Sequence, residues 1–189
     1  MNYYKARIKH LIRFRHKRGF GVHSPYMFNF ILNVLRDKKK TYDYSLLFEK
    51  NLQRDKKRRL RLISRVVRYL DIKNLLCMGD DVNMLVDYLA ALSCQINTTR
   101  VNTFEKIDSV DFIYIGTIFQ MQENRFSDLQ NLSVDNVRCM FIENIYKDKN
   151  NMMLWQYYSS LAQVQIDMLN YGILLFDTKI QKGTYKIKL

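Results

Sequence analysis

The chain has 189 residues, 48% of them hydrophobic and 13% aromatic, and a net charge of +13. This is enough apolar material for one domain with a substantial core, and it excludes a wholly disordered chain. No apolar stretch approaches membrane-spanning length and the basic N-terminus has no signal core, so a cytoplasmic protein with no transmembrane segment is expected.

Charge is unevenly spread: residues 1–73 hold 21 Lys and Arg against 5 Asp and Glu, and residues 74–189 hold 10 against 13. Such asymmetry points to an anionic partner for the first part, either nucleic acid, a membrane surface or an acidic protein, with a solvated basic face as the plain alternative. Cys77, Cys94 and Cys139 are odd in number, show no CxxC spacing and lie in or beside apolar runs. They read as buried free thiols of a reducing compartment, and no metal site is expected.

In chain order, Tyr4, Ile8, Leu11 and Ile12 recur at helical spacing with Arg7, Lys9, Arg13 and Arg15 turned elsewhere, which predicts a basic amphipathic helix over 3–17. Arg18 to Tyr26 then carry two glycines and the sole proline. This is a specified turn: Ser24 is placed to cap, and Pro25 to start, a second helix bearing Tyr26, Phe28, Ile31, Leu32 and Leu35. His23 within it has no evident partner. Asp55 is expected to cap a third helix whose buried stripe is Leu60, Ile63, Val66, Val67 and Leu70. Its other faces carry Lys56, Lys57, Arg58, Arg59, Arg61, Arg65 and Arg68, the densest basic segment of the chain.

From residue 73 strands alternate with helices. Asn74 to Met78 form an apolar run stopping at Gly79-Asp80-Asp81, and helical spacing resumes at Val82, Leu85, Val86, Leu89 and Leu92. Further strands are expected over 95–104, 111–115 and 137–142. A helix with Phe126, Leu129 and Leu132 and another over 151–161 intervene. A closing hairpin, 164–169 and 173–176, is read as turning at Asn170-Tyr171-Gly172, and a last extended piece runs from Tyr185 to Leu189. The fold class expected is α/β, an open and mostly parallel Rossmann-like sheet with a C-terminal antiparallel hairpin, in two parts. A basic helical region, 1–72, packs on an α/β domain, 73–189.

These residues resemble bacterial class I S-adenosylmethionine-dependent methyltransferases that open with a basic helix and a Gly-[Val/Ile]-His-Ser-Pro turn, here Gly21-Val22-His23-Ser24-Pro25. Leu75-Leu76-Cys77-Met78-Gly79 stands for the first strand and glycine turn, and Val110 to Ile115 for the mid-domain strand. Phe141-Ile142-Glu143-Asn144 stands for the late strand, followed by Trp155 and the closing hairpin. The resemblance implies a methyltransferase-like sheet with S-adenosylmethionine as cofactor, Gly79, Asp80 and Asp81 at its binding turn, and Glu143 as the candidate catalytic residue, to hold a substrate amine or polarise a nucleophile.

Several positions depart from that pattern. Cys77 replaces the acid before the glycine, Asn83 stands at a second small position, Gly116 and Asn144 replace strand-end carboxylates, and Tyr146 stands in place of a nearby His. Asp80 and Asp81 can serve the cofactor or cap the next helix. The 32 positions from Gly79 to Asp111 hold one helix and one strand. Near the expected ribose-gripping position, ~20 residues past the turn, stands Asn102, with Glu105 the nearest carboxylate. Three functions follow from the sequence. One is a degenerate, weakly active or non-catalytic methyltransferase-like protein with a binding or scaffold role. The second is an active divergent methyltransferase of unknown acceptor. The third is a polyanion-binding module using Arg7, Arg13, Arg15, Lys56, Lys57, Arg58 and Arg59.

Overall fold

The structure is a computed structural model that describes residues 4–5, 7–8, 22, 24–37, 52–79, 82–92, 95–100, 109–116 and 132–187. In it the apolar runs become β1 (Asn74–Met78), β2 (Asn97–Arg100), β3 (Phe112–Ile115), β4 (Cys139–Glu143), β5 (Val164–Asp167), β6 (Tyr171–Leu175) and β7 (Gly183–Lys186). They form one sheet in the order β2-β1-β3-β4-β6-β5-β7. β1 pairs in parallel with β2 and β3, β3 with β4, and β5 with β7. β6 alone runs antiparallel, between β4 and β5. The chain steps from β1 to β2 on one side and returns to β3 on the other, so the strand order reverses between β1 and β3.

Side chains alternate across the sheet with period two. Leu75, Cys77, Phe112, Tyr114, Phe141 and Ile173 face one layer of helices: α1 (Pro25–Asn29) with the π-helical turn Phe30–Leu35 that continues it, α2 (Arg54–Tyr69) and α3 (Val82–Ala91). Leu76, Met78, Ile113, Met140 and Ile142 face α4 (Lys149–Leu161) on the other side. α1, the π-helical turn and α2 therefore share one core with the sheet, whereas Tyr4 and Ile8, on the expected apolar stripe of the first basic helix, are exposed. No helix among the described residues is long and apolar enough to cross a membrane.

Local chemistry explains where the helices begin. Ser24 Oγ accepts from the Met27 amide and Pro25 opens α1, as its residue type requires. Asp148 Oδ1 accepts from Asn151 N at 2.8 Å and caps α4. The N-cap of α2 is Gln53, not Asp55; Asp55 lies in the first turn, where its charge suits the helix dipole.

Two outward charges expected on α2 are bonded to neighbouring elements. Arg65 is 8% exposed, and its Nε and Nη2 donate to Val34 O and Leu35 O, satisfying carbonyls that end the preceding helical turn. Arg68 Nη2 donates to Leu92 O at 2.8 Å, just past α3.

The hairpin turn also differs from expectation. It comprises Met168–Asn170: Asp167 Oδ1 accepts from Leu169 N at 3.0 Å, and Leu169 takes a φ of 73°. Tyr171 and Gly172 already belong to β6. Gly172 serves packing: a Cβ there would stand 2.2 Å from the Trp155 ring. Phe126, Leu129, Cys94, Gly21, His23, Asn102 and Glu105 lie outside the described residues, and Leu132 lies in no helix.

Candidate functional site at the carboxyl edge of the sheet

In an open parallel sheet, ligands are received beyond the carboxyl ends of the strands where the order reverses, here beyond β1 and β3. Gly79 follows β1 directly, with a φ of 111°, a conformation that side chains rarely tolerate. Its close neighbour is the chain itself. Gly116 N donates to Met78 O at 2.8 Å, and a Cβ on Gly79 would stand 3.0 Å from Gly116 Cα. Asp80 and Asp81 lie outside the described residues.

Tyr114, from β3, covers the next position. A Cβ on Gly116 would stand 3.1 Å from the Tyr114 ring and 3.2 Å from its hydroxyl. That hydroxyl donates to Glu143 Oε1 at 2.5 Å, and Arg59 Nη1 of α2 donates to Glu143 Oε2 at 2.8 Å. Glu143 is 3% exposed. The carboxylate expected to meet a substrate is therefore buried, with an ion pair on one oxygen and a phenol on the other. Such an arrangement meets the demand that a buried charge be both paired and hydrogen-bonded, and it gives the oxygens work other than taking a substrate proton. Beneath it, Tyr114 stacks on Phe141 at 6.0 Å and Phe141 on Tyr171 at 5.2 Å.

The other departures from the sequence pattern also have structural partners. Asn144 adopts a φ of 53°, which Asn tolerates, and its amide donates to Asn170 O. Asn151 Nδ2 donates to Asn144 O at 3.0 Å, so Asn144 joins β4 to both the hairpin and α4. Tyr146 donates to Asp167 Oδ2 at 2.6 Å, with Lys186 Nζ 3.9 Å from the same oxygen. Burial first, and that hydrogen bond second, push the Tyr146 hydroxyl far above its usual pKa. Asn83 Oδ1 accepts from Arg100 Nη1 at 2.7 Å, which ties α3 to the end of β2. Cys77 and Cys139 are buried free thiols, and burial pushes that of Cys77 up to about 12.

The basic residues divide into separate groups. Arg7 is exposed on a helical segment, Arg58 is exposed on α2, Lys56 and Lys57 are half-buried, and Arg13 and Arg15 lie outside the described residues. Arg59, expected at a polyanion surface, turns inward to Glu143 instead. Arg58 lines a groove of about 460 Å³ together with Arg36, Arg61, Arg65 and the hairpin residues Met168 to Tyr171. Arg36, Arg61, Arg65 and Tyr114 were not legible as site residues in the sequence. Tyr114 sits in an unbroken apolar run, and which arginines of a basic helix converge depends on what the helix packs against.

Among the described residues no group of three or more His, Cys, Asp or Glu is placed to hold a metal ion. Comparison with known proteins found no matching family model, no matching curated protein and no matching solved structure.

Proposed function

We propose that this chain is a methyltransferase-like protein whose donor site has been given over to structure, and that it acts by binding and not by methyl transfer. The observation that carries this reading is the engagement of Glu143 by both Arg59 and Tyr114 at the edge of the sheet where a donor and acceptor would have to meet. Strand order supports the Rossmann-like part of the reading. β2-β1-β3-β4 follows the doubly wound arrangement, with the first strand central and the reversal beside it, but with fewer strands on the β2 side. The antiparallel β6, inserted between β4 and β5, is in keeping with the C-terminal hairpin of the resemblance. Gly79 fits the same account, since Gly116 supplies a reason for glycine that involves no cofactor.

Methyl transfer is an in-line displacement and depends on holding donor and nucleophile in alignment. Glu143, the acid retained at the late strand, is held in place by a helix that the basic N-terminal part contributes. Buried thiols at Cys77 and Cys139 support a reducing, cytoplasmic setting. Calorimetric titration of the full chain with S-adenosylmethionine tests the proposal: no saturable heat is expected up to millimolar donor, and binding in the micromolar range would refute it.

A further inference from the structure

The groove between α2 and the β5–β6 hairpin is lined by four arginines at the same edge of the sheet as Glu143. Arg58, Arg61 and Arg65 follow one another at i, i+3 and i+7, which sets them on one face of α2, and Arg36 joins them from the end of the π-helical turn. Among the described lining residues the one carboxylate is Asp55. The bonds from Arg65 to Val34 O and Leu35 O are to neutral acceptors and orient its guanidinium. Burial raises the pKa of the Tyr171 hydroxyl, Arg65, Arg58 and Arg59 act in the opposite direction, and Asp55 adds a smaller upward push. Leu35, Met168 and Leu169 add apolar wall, and the volume of about 460 Å³ falls in the range of small-molecule sites.

We propose that this groove binds an organic phosphate of nucleotide size, its phosphate oxygens held by Arg58, Arg61 and Arg36 and its apolar part against Leu35, Met168 and Leu169. Planar guanidinium forks match phosphate oxygens two at a time, which a single lysine cannot do, and several forks around one anion favour phosphate over a single carboxylate. This assignment is independent of the donor site, because none of these residues belongs to the Glu143 cluster.

The test is calorimetric titration of the full chain at low ionic strength with ADP, inorganic phosphate and a short oligothymidylate. It is repeated on Arg58→Glu and Arg61→Gln, with thermal melting as a control for folding. ADP is expected to bind, inorganic phosphate to bind more weakly, and each substitution to weaken ADP by about tenfold or more, as loss of a charge-assisted hydrogen bond does. Arg58 is exposed, so Arg58→Glu keeps the test decisive if Arg61→Gln does not fold. Silence with ADP, or ADP affinity unchanged in Arg58→Glu, overturns the proposal. So does oligothymidylate binding through these arginines while ADP stays silent, which would make the ligand a nucleic-acid backbone.

Discussion

Arg59 and Glu143 are 84 residues apart in the chain and 2.8 Å apart in the fold, joining the most basic helix to the carboxyl end of β4. Glu143 is almost fully buried and Arg59 nearly so, with side chains 3% and 15% exposed. A pair in that setting is not interchangeable with a surface salt bridge, because removing either member strands the other charge away from water. The pair also joins α2 to the sheet: α2 is fastened to β4 by Arg59 as well as by its apolar stripe.

Arg59→Gln should destabilise the protein by about 3 kcal/mol, since Glu143 then keeps Tyr114 but loses its counter-charge. Glu143→Gln in the Arg59→Gln background should recover part of that loss, because neither charge remains. Urea unfolding of the four proteins in the cycle checks both statements. A loss of about 0.5 kcal/mol or less, typical of an exposed pair, would show that Glu143 is solvated.

Gly79→Ala should cost about 1–3 kcal/mol with no ligand present. The backbone φ of 111° strains any side chain, and the new Cβ would press on the Gly116 backbone, which cannot swing aside. Thermal or urea unfolding of the isolated protein reads it directly. A variant as stable as the parent would mean that this glycine is needed for something other than the packing of β1 on β3.

Gly172→Ala should be the most damaging single methyl in the sheet, at about 3 kcal/mol or more, because the added carbon would stand 2.2 Å from the rigid Trp155 ring. In a Trp155→Leu background the same substitution should cost much less. Equal losses in the two backgrounds would place the damage elsewhere.

Alkali should destabilise the protein progressively from the ordinary pKa values of its buried thiols and phenols upward. Burial raises the Cys77 thiol from 9.0 to about 12, and burial, with a smaller effect from Tyr69, raises Tyr26 from 10.0 to about 12. In this range the native state holds protons that the unfolded chain releases. The stabilisation is complete below about pH 9 and is lost as pH rises from there towards 12. Each such group steepens the fall by up to about 1.4 kcal/mol per pH unit. Cys77→Ala should therefore flatten the pH dependence of unfolding between pH 9 and 11, and an unchanged slope would mean that the thiol is not buried.

Much of the scaffold was legible because it depends on local signals. Leu75 to Met78 and Phe112 to Ile115 are apolar runs bounded by polar turns, and Ser24-Pro25 carries its helix start in its own chemistry. The site was less legible because its decisive contacts join distant segments. Nothing local distinguishes Arg59, which pairs with Glu143, from Arg58, which faces a groove, or from Arg65, which ends another helix. Tyr114 reads as core until its hydroxyl is placed beside Glu143. Gly172 reads as a turn glycine because Asn170-Tyr171-Gly172 has turn chemistry, whereas the Trp155 ring is what requires it. Asp55 has the residue type of an N-cap, but the helix begins one residue before it.

The most direct test of the central claim is a crystal structure of the full chain grown with millimolar S-adenosylmethionine. The prediction is an intact cluster, with Glu143 still held by Arg59 and Tyr114 and Gly79 still packed on Gly116, and no donor at the carboxyl edge of β1. A donor seated against Gly79, with Glu143 released from Arg59 to face it, would contradict the account.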